Sequence, residues 1–313
     1  MSTSILRTAD AWYVATTGGA VKIATGARTT GELLADRSAI AAAAAGASTD
    51  RVEDLALVSP VTAPCRVVAQ MTNFASHVTD SGMDPKTVPL TFFRKASGSI
   101  SGPADDVIKP AHVTLLDYEV EIGLVVGRGI PVGTTITAGS LHEYVAGLVV
   151  TNDVSARDVQ LPKTQFYEAK SYPSFTPVGP ALVLLEADEL KRFTDLRLTL
   201  SVNGALRQNA LVGTDMIYRP LEALRALTRF QRLDAGDLVL TGTPAGTALS
   251  APPKAVEKIA GLLPPAMKWR MFFKGQAKNP KYLADGDFVE ARVATDDGAI
   301  DLGTQRTMVR YAR

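Results

Sequence analysis

Glu119 and Glu121 are the residues of this chain whose type and spacing first suggest chemistry. They sit in Asp117-Tyr118-Glu119-Val120-Glu121-Ile122-Gly123-Leu124-Val125-Val126, whose apolar positions read as a strand with at least one buried face. Period-2 geometry sends both glutamates to the same face. Carboxylates held side by side repel unless a cation neutralises them or one takes up a proton. Hard divalent cations such as Mg2+, Mn2+ or Ca2+ favour oxygen ligands of this kind. The competing reading is the solvated face of a half-buried strand, and these residues alone leave both open. A second apolar strand, Val145 to Asn152, ends at Asp153, which could supply a third oxygen or cap the following turn.

Other candidates are scattered along the chain. His77 and Asp80 are spaced i,i+3, one face of a helical turn, where a carboxylate would orient a basic imidazole; a surface pair is the alternative. Arg94 and Lys95 follow a strand start at Thr91-Phe92-Phe93 and could meet an acidic substrate or stay solvated. Arg157, Asp158 and Gln160 cluster just beyond the second strand, and Lys170 sits in a proline-containing loop with Tyr172. A lysine near a divalent cation could stabilise negative charge on a substrate oxygen. The Gly-rich loop Thr241-Gly242-Thr243-Pro244 lacks the pattern of a phosphate-binding loop and reads as a substrate rim.

The elements that must position these groups follow from the order of the chain. Residues 1–62 form a small leading α/β module: a hairpin over 11–23 turning at Gly18-Gly19, then a capping box, Thr29 with Glu32, opening a helix through Ala45. Prolines at 60 and 64 mark the boundary to a second domain, 63–313. Ser140 to Glu143 repeats the capping-box spacing, with His142 a surface residue; Asn203-Gly204 marks a hairpin; Pro220 to Thr228 is an amphipathic helix. Two turn-strand units, 233–240 and 284–293, suggest an antiparallel meander, and 251–281 is an aperiodic excursion near the site.

Composition narrows the classes. The chain has 313 residues, 46% hydrophobic and 21% charged, enough to bury a sizeable core. Net charge is +1, which advertises neither nucleic acid nor an anionic membrane as partner. A single cysteine, Cys65, excludes an intramolecular disulfide and fits a reducing cytoplasm. No run approaches the roughly 18 apolar residues of a membrane span, and the first residues lack a signal-peptide layout. A soluble cytoplasmic protein is the expectation.

Five blocks in order resemble the fumarylacetoacetate hydrolase family: Asn73 to His77, Asp117 to Glu121, Asn152 to Gln160, Lys170-Ser171, and Thr241 to Pro244. The similarity runs from about Val67 to Thr247, with weaker agreement at 284–310. It implies an α+β, β-rich fold, the mixed β-roll, in a homodimer. It further implies one divalent cation, Mg2+ by preference, on Glu119, Glu121 and Asp153. His77, Asp80 and Lys170 are then catalytic, with Arg94, Arg157, Gln160, Tyr172 and Thr243 on the substrate. The expected activity is hydrolysis of a carbon–carbon bond in an acylpyruvate or related 1,3-dicarbonyl, as in aromatic catabolism. The alternative is decarboxylation or keto–enol isomerisation of a 2-oxo diacid at the same metal site. A non-catalytic binder that keeps the fold is a third possibility.

Overall fold

The computed structural model describes residues 2–163, 166–249 and 264–312. Two sheets carry the structure. The larger has nine strands, in the order Gly19–Lys22, Trp12–Thr16, Thr3–Arg7, Leu182–Leu184, Val145–Asn152, Val120–Val126, Leu238–Leu240, Val67–Gln70 and Phe92–Lys95. Its neighbours pair antiparallel except Leu238–Leu240 with Val67–Gln70, which run parallel. The second sheet has five strands, Ala205–Leu211, Leu196–Val202, Phe288–Thr295, Asp301–Tyr311 and Val107–Lys109. This is the β-rich α+β architecture expected from the sequence.

Alternation explains which strands lie where. Leu196, Leu198, Leu200 and Val202 are buried while the residues between them are half-exposed, so that strand covers the core with one face. Val120–Val126 and Val145–Asn152 are buried at every position. They are covered on both sides, which is why their sequences read as nearly continuous apolar runs. Ile122, Leu124 and Leu148 pack into the core shared with the second sheet. Val125 and Val149 face a separate core, which the N-terminal helices close with Leu33, Leu34 and Ile40.

The hairpin over 11–23, the Asn203-Gly204 turn and the helix at Pro220–Leu227 form as expected. The first three strands do not stand apart: Thr3–Arg7 pairs with Leu182–Leu184 and extends the large sheet. The Thr29–Glu32 capping box is present, but the helix it opens stops at Ala35. Asp36 leaves helical geometry (φ −94°, ψ 59°) and its carboxylate caps a second helix, Arg37–Ala44, by accepting from Ala39 N. Ser140 caps nothing; it bonds Thr137, and the helix after it is the single turn Leu141–Tyr144, on which His142 is exposed. Of the excursion at 251–281, residues 251–263 lie outside the described residues, and the remainder opens with the helix Pro265–Gln276.

Candidate metal centre

Antiparallel register brings the three predicted ligands together. Asn152 pairs with Val120 and Thr151 with Glu121, so Asp153, one residue past its strand, arrives beside Glu119. Asp153 N donates to Glu119 O at 2.8 Å, and Asn152 Oδ1 accepts from Glu119 N at 2.9 Å, which locks the corner. Glu119, Glu121 and Asp153 each present an oxygen within 4.8 Å of the others. They are 6%, 1% and 0% exposed, so the solvated-face reading is excluded.

Cations surround two of the three. Lys170 Nζ donates to Glu119 Oε2 at 2.6 Å and to Asp153 Oδ2 at 2.7 Å. Arg157 donates from Nη2 to Glu119 Oε1, from Nε to Asp117 Oδ2 at 2.8 Å and from Nη1 to Gln160 Oε1 at 2.8 Å. Lys95 donates to Asp153 Oδ1 and, at 2.8 Å, to Phe175 O. Glu121 has no Lys or Arg partner among the described residues; its Oε2 accepts only the Gly242 N–H, at 2.7 Å.

The electrostatics follow that asymmetry. Burial alone would raise the Glu119 carboxyl, but Arg157 and Lys170 outweigh it and hold Glu119 well below the carboxylate range. Burial, with Asp153 and Glu119 as like charges, pushes Glu121 well above it. Burial lowers Lys95, and Asp153 offsets this only in part. For Lys170 the burial penalty is overcome by Asp153 and Glu119, and the ammonium is held more firmly protonated than usual. Three buried carboxylate oxygens, one on a residue with no hydrogen-bonded cation among the described residues, fit a hard divalent ion.

The remaining predicted residues divide. A cavity of about 320 Å³ opens on the centre and is lined by His77, Glu119, Glu121, Arg157, Gln160, Lys170 and Thr243 among others. His77 lies on the helix Ala75–Asp80 with its Nδ1 buried and without a hydrogen-bond partner. Burial lowers its pKa, Glu119 working against that, so the imidazole is neutral at neutral pH. Asp80, the last residue of that short helix, is exposed, and no hydrogen bond joins it to His77 among the described residues. Thr243 Oγ1 donates to Val120 O at 2.9 Å and accepts from Gln208 Nε2 at 2.8 Å, which ties the rim loop to the central strand.

Two expected substrate contacts are not at the cavity. Arg94 is exposed, because alternation along Phe92–Lys95 turns Phe93 and Lys95 inward and Arg94 out. Tyr172 turns toward His112, whose Nε2 lies 2.8 Å from the tyrosine oxygen, and packs on Phe175. Asp117 emerges as a further buried acid. It anchors Arg157 and accepts from Ala248 N at 2.7 Å and Leu249 N at 3.1 Å, holding the rim against the centre. It lies two residues before Glu119, so the same period-2 spacing was its signal in the sequence.

The fold and site define a class: a β-rich α+β protein with a buried oxygen-donor centre on its central strands, walled by two lysines and an arginine. The family model for the fumarylacetoacetate (FAA) hydrolase C-terminal region matches residues 66–310, and the chain belongs to that enzyme family. It is 34% identical over 202 residues to the mitochondrial oxaloacetate tautomerase FAHD2B of Bos taurus, a match covering 64% of this chain and 62% of that protein. It is 35% identical over 203 residues to the 2,4-didehydro-3-deoxy-L-rhamnonate hydrolase of Sphingomonas sp. (strain SKA58), covering 64% and 69%. The structure of a putative HpcE protein from Mycobacterium smegmatis superposes over 100% of both chains with a TM-score of 0.75 at 30% identity. Among the described residues, no helix is long and apolar enough to cross a membrane.

Proposed function

We propose that the chain is a divalent-metal-dependent hydrolase that cleaves a carbon–carbon bond in an acylpyruvate or related 1,3-dicarbonyl compound. The observation that carries the reading is the buried trio Glu119, Glu121 and Asp153, whose two glutamates line the same cavity as His77 and Lys170. Mg2+ or Mn2+ held by the trio would polarise a substrate carbonyl. His77, neutral because it is buried, takes a proton from a water whose oxygen adds to the acyl carbon. The bond between that carbon and the pyruvate methylene breaks, leaving a carboxylic acid and a pyruvate enolate. Lys170, held protonated, faces the enolate charge, and the proton taken by His77 returns to the enolate carbon. Arg157 and Gln160, joined at 2.8 Å, orient the substrate from the cavity wall.

A second reading uses the same centre for keto–enol isomerisation or decarboxylation of a 2-oxo diacid. The exposed Asp80 favours it, because isomerisation and decarboxylation require no activated water and so no carboxylate to raise the basicity of His77. The tautomerase named above is consistent with it. The proposal also includes a homodimer in the cytoplasm. Assaying an acylpyruvate and oxaloacetate side by side, with Mg2+ and with chelator, separates the readings. Metal-dependent cleavage of the acylpyruvate is expected; turnover of oxaloacetate alone would sink the hydrolase reading.

A further inference from the structure

His77 sits on a helix too short to hold itself in place. Ala75–Asp80 spans six residues, and Phe74 at its N-cap makes no side-chain hydrogen bond. The first N–H groups of such a helix need acceptors from elsewhere. One comes from a segment 139 residues further along the chain. Ser76 N donates to Asp215 Oδ1 at 2.7 Å, and Ser76 Oγ donates to Asp215 Oδ2 at 2.5 Å. Asp215 ends the short helix Val212–Asp215, and Val212 and Met216 beside it are buried in the main core, so packing fixes where the carboxylate stands. The residues after it continue the clamp. Met216 pairs with Phe74, Ile217 N donates to Asn73 O at 2.8 Å, and Tyr218 N donates to Asn73 Oδ1 at 2.8 Å.

The Ser76 hydroxyl also reaches the rim of the site. It accepts from Ala245 N at 3.1 Å, in the loop whose Gly242 N–H donates to Glu121 and whose Thr243 hydroxyl donates to Val120 O. Asn73 makes a second link, its Nδ2 donating to Thr241 O at 2.7 Å. The helix that presents the imidazole and the loop that presents a donor to Glu121 are therefore fastened to the same carboxylate. Asp215 holds the main chain and hydroxyl of Ser76, and no hydrogen bond joins it to the imidazole among the described residues. It can set the place of the ring without setting its basicity. That is the orienting task the i,i+3 spacing assigned to Asp80, whose side chain is exposed.

We propose that Asp215 is a positioning residue for His77: it caps the histidine's helix from a distant segment and, through the Ser76 hydroxyl, fastens that helix to the Gly242–Ala245 loop. The inference rests on the reading of His77 given above. The test compares Asp215→Ala with Asp215→Asn, because asparagine caps about as well as aspartate but carries no charge. Turnover is measured with Mg2+ on whichever of the acylpyruvate and oxaloacetate the parent accepts. Asp215→Ala is expected to lower kcat by about 10–10²-fold with KM within about twofold, the mark of a misplaced group. Asp215→Asn is expected to recover kcat to within about threefold of the parent. Hydrogen exchange needs no turnover. In Asp215→Ala it should quicken about tenfold over residues 74–80, rise also over 242–248, and stay unchanged in the Leu196–Val202 strand. Unchanged exchange over 74–80, or faster exchange everywhere alike, overturns the inference. So does an unchanged kcat, a loss confined to KM, or an Asp215→Asn variant as impaired as the alanine. A parent that turns over neither compound removes the functional reading above, and exchange alone then decides the positioning.

Discussion

Glu121→Gln should stabilise the metal-free protein while crippling its metal binding, an inversion that an ordinary core substitution does not produce. Glu121 is 1% exposed, lacks a cation partner among the described residues, and presents its oxygen within 4.8 Å of those of Glu119 and Asp153. At that separation a like-charge pair repels by about 3.5 kcal/mol at an effective dielectric constant of about 20. The penalty is capped, because the carboxyl can take up a proton instead. Holding a group of ordinary value 4.5 protonated at pH 7 costs at most about 3.4 kcal/mol, at about 1.36 kcal/mol per pH unit. Glutamine keeps the shape and can still accept the Gly242 N–H, so a gain of about 1–3 kcal/mol is expected in chelator at pH 7. Mn2+ affinity should fall at least ~10²-fold, the upper end of what losing even an outer-shell partner costs. Denaturant unfolding with chelator and with saturating Mn2+, beside calorimetric Mn2+ titration, measures both. A variant that is less stable in chelator and binds Mn2+ within about threefold of the parent would refute the cation-cradle assignment.

Three further outcomes follow from the same geometry. Because the folded value of Glu121 is raised, the stability it contributes is present below pH 4.5 and lost as pH rises through that folded value. The stability gap between Glu121→Gln and the parent should therefore widen with rising pH in chelator, and close when Mg2+ is added. His77→Asn should lower kcat/KM by about 10²–10⁴, with the acid limb of the parent profile below the ordinary 6.5, whereas exposed Asp80→Asn should stay within about threefold; equal losses would restore Asp80 to the dyad. Gly242 has φ +85°, and an added Cβ would lie 2.8 Å from Asn73 Cβ, so Gly242→Ala should cost about 1–3 kcal/mol and weaken Mn2+ binding by moving the N–H that Glu121 accepts. Unchanged unfolding and Mn2+ titration curves would show that the loop gives way freely.

What was legible in the sequence was what repeats. Glu119 and Glu121 declare a shared face through period 2, and Asp153 is reached by counting along an apolar strand that antiparallel pairing must place beside them. The same alternation separates Lys95 from Arg94, since Phe93 and Lys95 share one face, but it only decides the matter once the buried side is known. Tyr172 and Asp80 were less legible because one lies in a loop and the other ends a short helix. Neither place has a period that fixes a direction, and the side chains turned to His112 and to solvent. The expected long helix from Thr29 split because Asp36 caps more favourably than it continues, a competition that alanine-rich composition conceals. The Gly242 N–H is a main-chain donor, and no side-chain pattern reveals it.

The position of Val120–Val126 in the large sheet has a consequence for synthesis of the chain. One of its neighbours, Val145–Asn152, is complete 26 residues after Val126 (152 minus 126), but the other, Leu238–Leu240, leaves the ribosome 114 residues after it (240 minus 126). At ~5–20 residues per second that is roughly 6–23 seconds during which an apolar strand carries an unpaired edge. The same late segment delivers Gly242, so Glu121 also waits for its main-chain donor. Lesions between 238 and 242 should consequently appear first as poor soluble yield and chaperone dependence, and only afterwards as altered chemistry.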